Sequence, residues 1–490
     1  MRTLEYTPGL VTTVPLKKDQ RHRLVILMPM MWSIRNVVHS GLLDLLAEVD
    51  VYLLLHKYEP SMLQSKIGPE LASISGCEAL CIPPVRRHIK GLALLREVIG
   101  YAFNRRNAIG SYAIYQRWYN RRSTRLQHLR RRMIEIAGYL SQPSVIFFQL
   151  YRLYHTFYQM EFDLEAIRHQ LRELSPDLVL STVNVEVIYE RAYIMAAKSL
   201  GIPVVNAVLS FDNLTSKAAH LLYDEYFVWN QRMKGQLLAF YPQVRPEQVW
   251  ITGTPQFDFH RCADYHWERE NTLKRLGLPP EAKYFLYSAS PRNLTPQEPH
   301  LVGELAKKMQ RHPALKDYWL VVRIHPHDDW SRWEALRQSS DKLVLSETWE
   351  RMPDANGWTL LTTDDLARLT SSLVHAVACI NIASTITLDA AILDRPVIGI
   401  RFEQEPDAPH EILFAEYDTD HFRPLVESGG LRIAYSWNDL MVLLQHALEH
   451  PGEDRAARAR MVAEECGMVD GRCAQRVANA LLACLEKNRG

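Results

Sequence analysis

Short apolar runs of strand length recur along this chain at helix-length intervals, in two separate series, and few folds accept that rhythm. The first series opens with "RLVILMPM", the helical stretch "VVHSGLLDLLAEV" and "DVYLLLH". A strand, a crossover helix and a second strand in that order begin a parallel sheet. After a long interruption the series resumes with "PDLVLST", the helix-patterned "EVIYERAYIMAAKSLG", "IPVVNAVL", "DEYFVWN" and "QVWITGT". Gly201 stands where a helix C-cap belongs and Pro203 opens the next run, so the stop of one element and the start of the next are written locally. The second series comprises "YFLYSAS", "WLVVRI", "LVLSE", "VACINIA" and "PVIGI", separated by helical patterns such as "LVGELAKKMQ" and "DLARLTSSLVHA". Two such series predict two doubly wound α/β domains, whose ligands sit beyond the carboxyl ends of the strands.

Length agrees with that division, because 490 residues exceed what one hydrophobic core holds. We place the first domain at 1–255 with a helical insertion at about 82–170, the second at 256–435, and a helical C-terminal segment at 436–490. That last segment can pack back across the hinge. A composition of 47% hydrophobic and 23% charged residues, without low-complexity tracts, describes a packed globular chain. The net charge of +1 offers no global attraction to nucleic acid, and no nucleic-acid partner is expected. Seven cysteines are scattered, and Cys77 and Cys81 have no second pair at finger spacing, so the pattern suits a reducing, cytoplasmic setting. No N-terminal stretch has the order of a signal peptide, and no run approaches the roughly 18 apolar residues of a spanning helix, which leads us to expect a soluble or peripheral protein.

Charge is balanced in total but not locally. From Val98 to Ile134 there is no acidic residue, while nine arginines fall between Arg105 and Arg132: 105, 106, 117, 121, 122, 125, 130, 131 and 132. Aromatic residues such as Tyr101, Phe103, Tyr112 and Trp118 are interleaved with them. Such a run suits an anionic membrane surface or an acidic polymer, and equally a solvated arginine-rich face of the insertion. On the first reading the protein is peripheral at the inner face of the cell membrane.

Two constellations carry chemistry. In "VVRIHPHDD", His325, His327, Asp328 and Asp329 have the donor types of a metal site. Pro326, however, ends the strand, so the two histidines do not converge as alternate strand residues would. No metal is expected here. A histidine at the carboxyl end of a buried strand instead points into the cleft, where it donates a hydrogen bond or a proton to a phosphate oxygen, with Arg323 in support. Asp328 and Asp329 read as capping residues of the segment that follows. In "INIASTITLDAAILDRPVIGI", Ser384 and Thr385 open a helix just after a strand. There, backbone N–H groups and hydroxyls form an anion-binding cup, although both residue types are also ordinary N-caps.

"RIHP" followed later by "AST" and "LDAAILDRPVIG" resembles the His-Pro and Ser/Thr motifs of bacterial surface-polysaccharide glycosyltransferases of the GT-B fold. Capsular sialyltransferases, Kdo transferases and CDP-glycerol glycerophosphotransferases belong to that group. "WITGTPQFD", "SFDNLTSK" and "DGRCAQRV" are similar to its segments as well, so the likeness covers roughly residues 175–480. The resemblance implies two Rossmann-type domains facing a cleft, the first for the acceptor and the second for a nucleotide-activated sugar. It implies that His325, Ser384 and Thr385 contact the donor phosphate, without a metal and with no cofactor beyond the donor itself. The acceptor implied is a glycan or lipid-linked glycan of the bacterial surface.

An inverting transfer also needs a base on the first domain, and three residues at strand ends there are candidates: Asp212, Glu186 and His39. Each also has an ordinary structural reading, as turn former, first-turn acid and surface residue. By position, Arg292 after "YFLYSAS" is a phosphate ligand and Glu403 after "PVIGIRF" a contact to donor hydroxyls. Asp364 and Asp365 read as helix N-terminal acids. The rival readings are an isomerase of the UDP-N-acetylglucosamine 2-epimerase type, a CDP-glycerol glycerophosphotransferase, and a non-catalytic scaffold of a glycan assembly machine.

Overall fold

The structure is a computed structural model that describes residues 21–487 apart from 31, 57–67, 122–123, 184–187, 217–221, 293, 339, 347, 352–358 and 403–410. Seven strands make the first sheet: β1 (Arg23–Met28), β2 (Asp50–Leu55), β3 (Gly76–Ala79), β4 (Leu178–Ser181), β5 (Val204–Ala207), β6 (Glu225–Val228) and β7 (Val249–Ile251). Their order is β3-β2-β1-β4-β5-β6-β7, every pair parallel. The second sheet uses β8 (Tyr284–Ser288), β9 (Trp319–Arg323), β10 (Leu343–Ser346), β13 (Cys379–Asn381), β14 (Val397–Ile400) and β15 (Leu431–Ala434). It is also parallel throughout, in the order β10-β9-β8-β13-β14-β15, while β11 (Glu350–Arg351) and β12 (Thr359–Leu360) form a separate antiparallel pair. The order in which strands are added therefore reverses beside the first strand of each sheet, between β1 and β4 and between β8 and β13. Those two switch points face the same cleft. The α/β, GT-B-like architecture expected from the sequence is the one observed.

The central strands are apolar on both faces because helices cover both. Leu24, Val25, Ile26 and Leu27 of β1 are fully buried, and alternate residues serve different cores, Val25 and Leu27 on one side, Leu24 and Ile26 on the other. Two strands escape a reading by hydrophobic runs. β3, "GCEA", is a partly exposed edge strand with little apolar surface, and β15, "LRIA", is a four-residue strand carrying an arginine.

Between β3 and β4 the insertion is built from helices, principally Leu92–Arg106, Gly110–Arg121, Arg125–Leu140 and Ser144–Glu161. Phe103, Phe147, Tyr154 and Tyr158 anchor it in the core of the first domain. It also reaches the second domain, where Asp420 accepts from the Ser111 N–H at 2.7 Å and its hydroxyl at 2.9 Å, and Glu416 accepts from the Tyr115 hydroxyl at 3.0 Å.

The chain's end makes the larger bridge. Helix Trp437–Glu449 packs on β14 and β15, whereas helix Cys473–Lys487 returns to the first sheet. Ala478, Leu481 and Leu485 share a core with Leu24 and Ile26. Asp258 caps this returning helix, accepting from the N–H groups of Cys473 at 3.1 Å and Ala474 at 2.9 Å. Arg476 donates to the Thr252 carbonyl at 2.9 Å. Gly253 and Gly467 keep positive φ at this crossing, and a Cβ on Gly467 would stand 2.5 Å from the Trp229 carbonyl oxygen. Thus "WITGTPQFD" and "DGRCAQRV" are two halves of one clasp.

Candidate functional site

A cavity of about 280 Å³ lies between the carboxyl ends of the two sheets. The first domain contributes Trp32 and Arg35 from helix Trp32–Val37, which follows β1, together with Ser210, and Gln256 lies at the junction of the two domains. From the second come Arg323 at the end of β9, His325 two residues later, and Ser384 and Thr385 beyond β13. Arg323, His325, Ser384 and Thr385 are thus brought together, and Arg35 faces them from the opposite domain.

The two guanidinium groups set the electrostatics. Arg323 is buried, and its Nη1 has no hydrogen-bond partner among the described residues. Burial pulls its pKa down to about 10, against the pull of Asp365 and Asp389. Arg35 is held low by burial too, with Asp389 opposing. Its Nη2 donates to Gln256 while its Nε is unpartnered among the described residues. Both stay protonated at neutral pH, so the cavity presents unspent N–H donors and positive charge from two sides, which is the complement of an anion such as a diphosphate.

His325 is set up as a donor. The His327 N–H donates to its Nδ1 at 3.1 Å, which leaves the proton of the neutral ring on Nε2. Burial, then the neighbouring His327 and Arg323, lowers its pKa from 6.5 to about 4. Folding thus removes a proton that the unfolded chain binds between those values, so this residue weakens the fold as pH falls from 6.5 towards 4. A histidine NMR titration of the free protein should show a His325 midpoint near 4; a midpoint of about 6 to 7, the ordinary range, would contradict the neutral Nε2–H state.

The Ser384 segment departs from a simple anion cup. Ser384 gives its backbone N–H to Asn381 Oδ1 at 3.0 Å, and the preceding Ala383 holds φ at +41°, with its N–H on the Tyr417 hydroxyl at 3.0 Å. A left-handed alanine at a strand-to-helix turn is strained, and tertiary contacts hold it there. The hydroxyl-bearing side chains of Ser384 and Thr385, rather than the Ser384 amide, are what this turn offers to the cavity.

The remaining expectations divide. Asp328 is buried, accepting from Trp333 Nε1 at 2.9 Å and pairing with Arg332 at 3.0 Å, and Asp329 caps the next turn through Ser331 N–H at 2.9 Å. Asp365 closes a capping box with Thr362, and Asp364 pairs with Arg275 and Arg368. His327 packs edge-on near Trp32 and Trp349, ring centres 5.9 and 6.0 Å away, at the cleft. His39 is not a surface residue: it is buried, its Nε2 lies 2.8 Å from the carbonyl oxygen of Leu361, and this contact ties the two domains together behind the cavity, which Leu361 lines and His39 does not. Asp212, two residues past Ser210, accepts from the Ser216 hydroxyl at 2.6 Å. Arg292 is exposed and does not line the cavity, because the loop turns it outward. Glu186 and Glu403 lie outside the described residues.

Sequence reading missed Arg35, Trp32, Trp349 and the pair formed by Asp389 and His260, whose side chains meet at 2.7 Å. A signal for Arg35 existed, since it follows the first strand at a switch point. Asp389 was legible only as a carboxylate on an otherwise apolar helix, Ile386–Ile392.

Comparison with known proteins bears on this arrangement. None of the curated proteins searched matches the sequence. Among solved structures, S. aureus MnaA in a co-structure with UDP shares 12% identity over 95% of this chain and 97% of its own, with a TM-score of 0.53. A UDP-GlcNAc 2-epimerase from Methanocaldococcus jannaschii shares 12% over 94% and 99%, with a TM-score of 0.52. The putative UDP-N-acetylglucosamine 2-epimerase from Listeria monocytogenes shares 12% over 96% and 98%, with a TM-score of 0.51. At such identity these likenesses establish the two-domain fold. Residues 184–483, more than half of the chain and including His325, Ser384 and the returning helix, match the family model described as CDP-Glycerol:Poly(glycerophosphate) glycerophosphotransferase. The chain therefore belongs to the CDP-glycerol:poly(glycerophosphate) glycerophosphotransferase family, a group of transferases carried here on a GT-B-like fold.

Proposed function

We propose that the cleft binds the diphosphate of a nucleotide-activated donor and transfers the activated group to a hydroxyl of a bacterial surface glycan or its lipid-linked precursor. The observation that carries this is the pair formed by buried Arg323 and half-buried Arg35, each with an N–H unpartnered among the described residues and each lining the cavity with His325. Negative charge grows on the departing nucleotide as its bond to the transferred group breaks. His325 donates from Nε2 to that oxygen, and the two guanidinium groups supply the charge that a divalent ion supplies in other enzymes. The acceptor proton passes to a carboxylate on the first domain. Asp212 takes this role in our reading, next to the cavity wall at Ser210.

Family membership favours CDP-glycerol, with the acceptor oxygen attacking phosphorus and CMP leaving. A nucleotide sugar, attacked at its anomeric carbon with inversion, fits the same charged cavity. Thermal shift with CDP-glycerol, CMP-sugars and UDP-sugars separates them. The true donor should raise Tm by roughly 5 °C at a hundredfold excess over Kd. Asp212→Asn should keep that shift while losing turnover with acceptor. Turnover of UDP-N-acetylglucosamine alone would mean an epimerase, and no shift with any nucleotide would sink the donor reading and leave a scaffold.

A further inference from the structure

The insertion carries a helix with two opposed faces, and among the described residues only one of them has a partner. Helix Arg125–Leu140 begins in a capping box between Thr124 and Gln127. Its inner face packs Ile134 and Gly138 on helix Leu92–Arg106, so closely that a Cβ on Gly138 would stand 2.9 Å from the Tyr101 Cβ. That contact settles which way the helix faces. On the other side Leu126, Leu129, Met133, Ile136 and Leu140 are each between 59% and 77% exposed. At about 100° per residue these five fall within an arc of roughly 80°. Val145, at the start of the next helix, is likewise 70% exposed.

Spacing of three and four residues would suit a second copy of the same helix. The flanking charges argue against that occupant. Arg125 and Arg132 border the strip on one side and Arg130 on the other, where a self-paired seam would set arginine against arginine. The acidic groups nearby are Glu97, bonded to Arg130 at 2.6 Å, and Glu135, 4.0 Å from Arg132, and the arginines bordering the strip, Arg125, Arg130 and Arg132, outnumber them. An apolar strip bordered by guanidinium groups is the pattern of a helix that lies in the plane of an anionic bilayer. Among the described residues no helix is long and apolar enough to cross a membrane, so contact is in-plane. The strip also lies outside the matched family region, 184–483, and belongs to this chain's own insertion.

We propose that helix Arg125–Leu140 is a docking surface for anionic phospholipid. Leu129, Met133 and Ile136 enter the acyl boundary while Arg125, Arg130 and Arg132 meet headgroup phosphates. The proposal does not depend on the donor assigned above, although a lipid-linked acceptor would be delivered by the same surface.

Vesicle co-sedimentation with the full chain tests it. Binding to phosphatidylglycerol-containing vesicles should exceed binding to pure phosphatidylcholine at least about tenfold and fall with salt. Leu129→Ser with Met133→Ser and Ile136→Ser should abolish it, and Arg125→Glu with Arg132→Glu should reduce it about tenfold. All five positions are on the open face, so Tm and the nucleotide-induced shift should be unchanged, which separates this failure from failure of the donor reading. Equal binding to both vesicle types, or undiminished binding by the serine variant, overturns the proposal. A dimer that the serine variant dissolves would assign the face to a second copy. Retention on a soluble polyanion, with none on vesicles, would assign it to an acidic polymer.

Discussion

Arg323→Gln is expected to cost transfer activity and to make the unliganded protein more stable. In the free protein this guanidinium is buried at the end of β9, its Nη1 lacks a partner among the described residues, and burial holds its pKa down to about 10. It nevertheless remains charged at neutral pH, so the fold bears the cost of an incompletely paired buried cation. Glutamine keeps much of the side-chain length and removes the charge. Unfolding of the variant should then require about 1–3 kcal/mol more, while kcat/KM falls roughly 10²- to 10³-fold, because one preorganised donor to the departing phosphate is gone. Chemical denaturation and steady-state assays read the two quantities separately. If stability drops together with activity, the arginine serves Asp365 and Asp389 structurally and the phosphate role is wrong.

Leu481→Ala should produce the largest loss of stability among single changes outside the cleft. Leu481 is fully buried on the helix that returns from the second domain, in the same core as Leu24 and Ile26 of β1. Truncation leaves a cavity between that helix and the sheet, at a cost of about 2–5 kcal/mol. The change is far from His325 in role: what it loosens is the attachment that holds the two domains in register. A calorimetric Tm within about 1 °C of wild type would show that the returning helix contributes little to the fold. A large drop, with KM for donor raised, would show that the clasp also sets the width of the cleft.

Much of the fold was legible because buried parallel strands are apolar on both faces and their helices end at recognisable signals, as at Gly201 and Pro203. β3 was illegible for the opposite reason, being a short edge strand that buries little. Within the site, Arg323, His325, Ser384 and Thr385 could be named because strand ends in such sheets point at ligands. His39 could not be placed in the same way. It also follows the first strand, yet the fold buries it against the Leu361 carbonyl of the other domain. Arg292 shows the same limit, since a loop's direction is not written in its residue types. The arginine run announced a charged surface, but which of its helices lays apolar residues open was decided by the packing of Gly138 on Tyr101.

What the sequence by itself determined is the inventory of buried elements: the apolar strands, the crossover helices, the two-domain division and the strand-end residues of the second domain. Those follow from hydrophobic period and chain-breaking residues, which act over a few positions. Only the tertiary structure decided that Arg35 meets Arg323 across the cleft, that Asp258 caps the helix beginning at Cys473, and that Asp389 faces His260. Each of these pairs joins segments far apart in the chain, and no local pattern encodes them, because partners at that distance are selected by how two finished sheets pack against each other and against the returning helix.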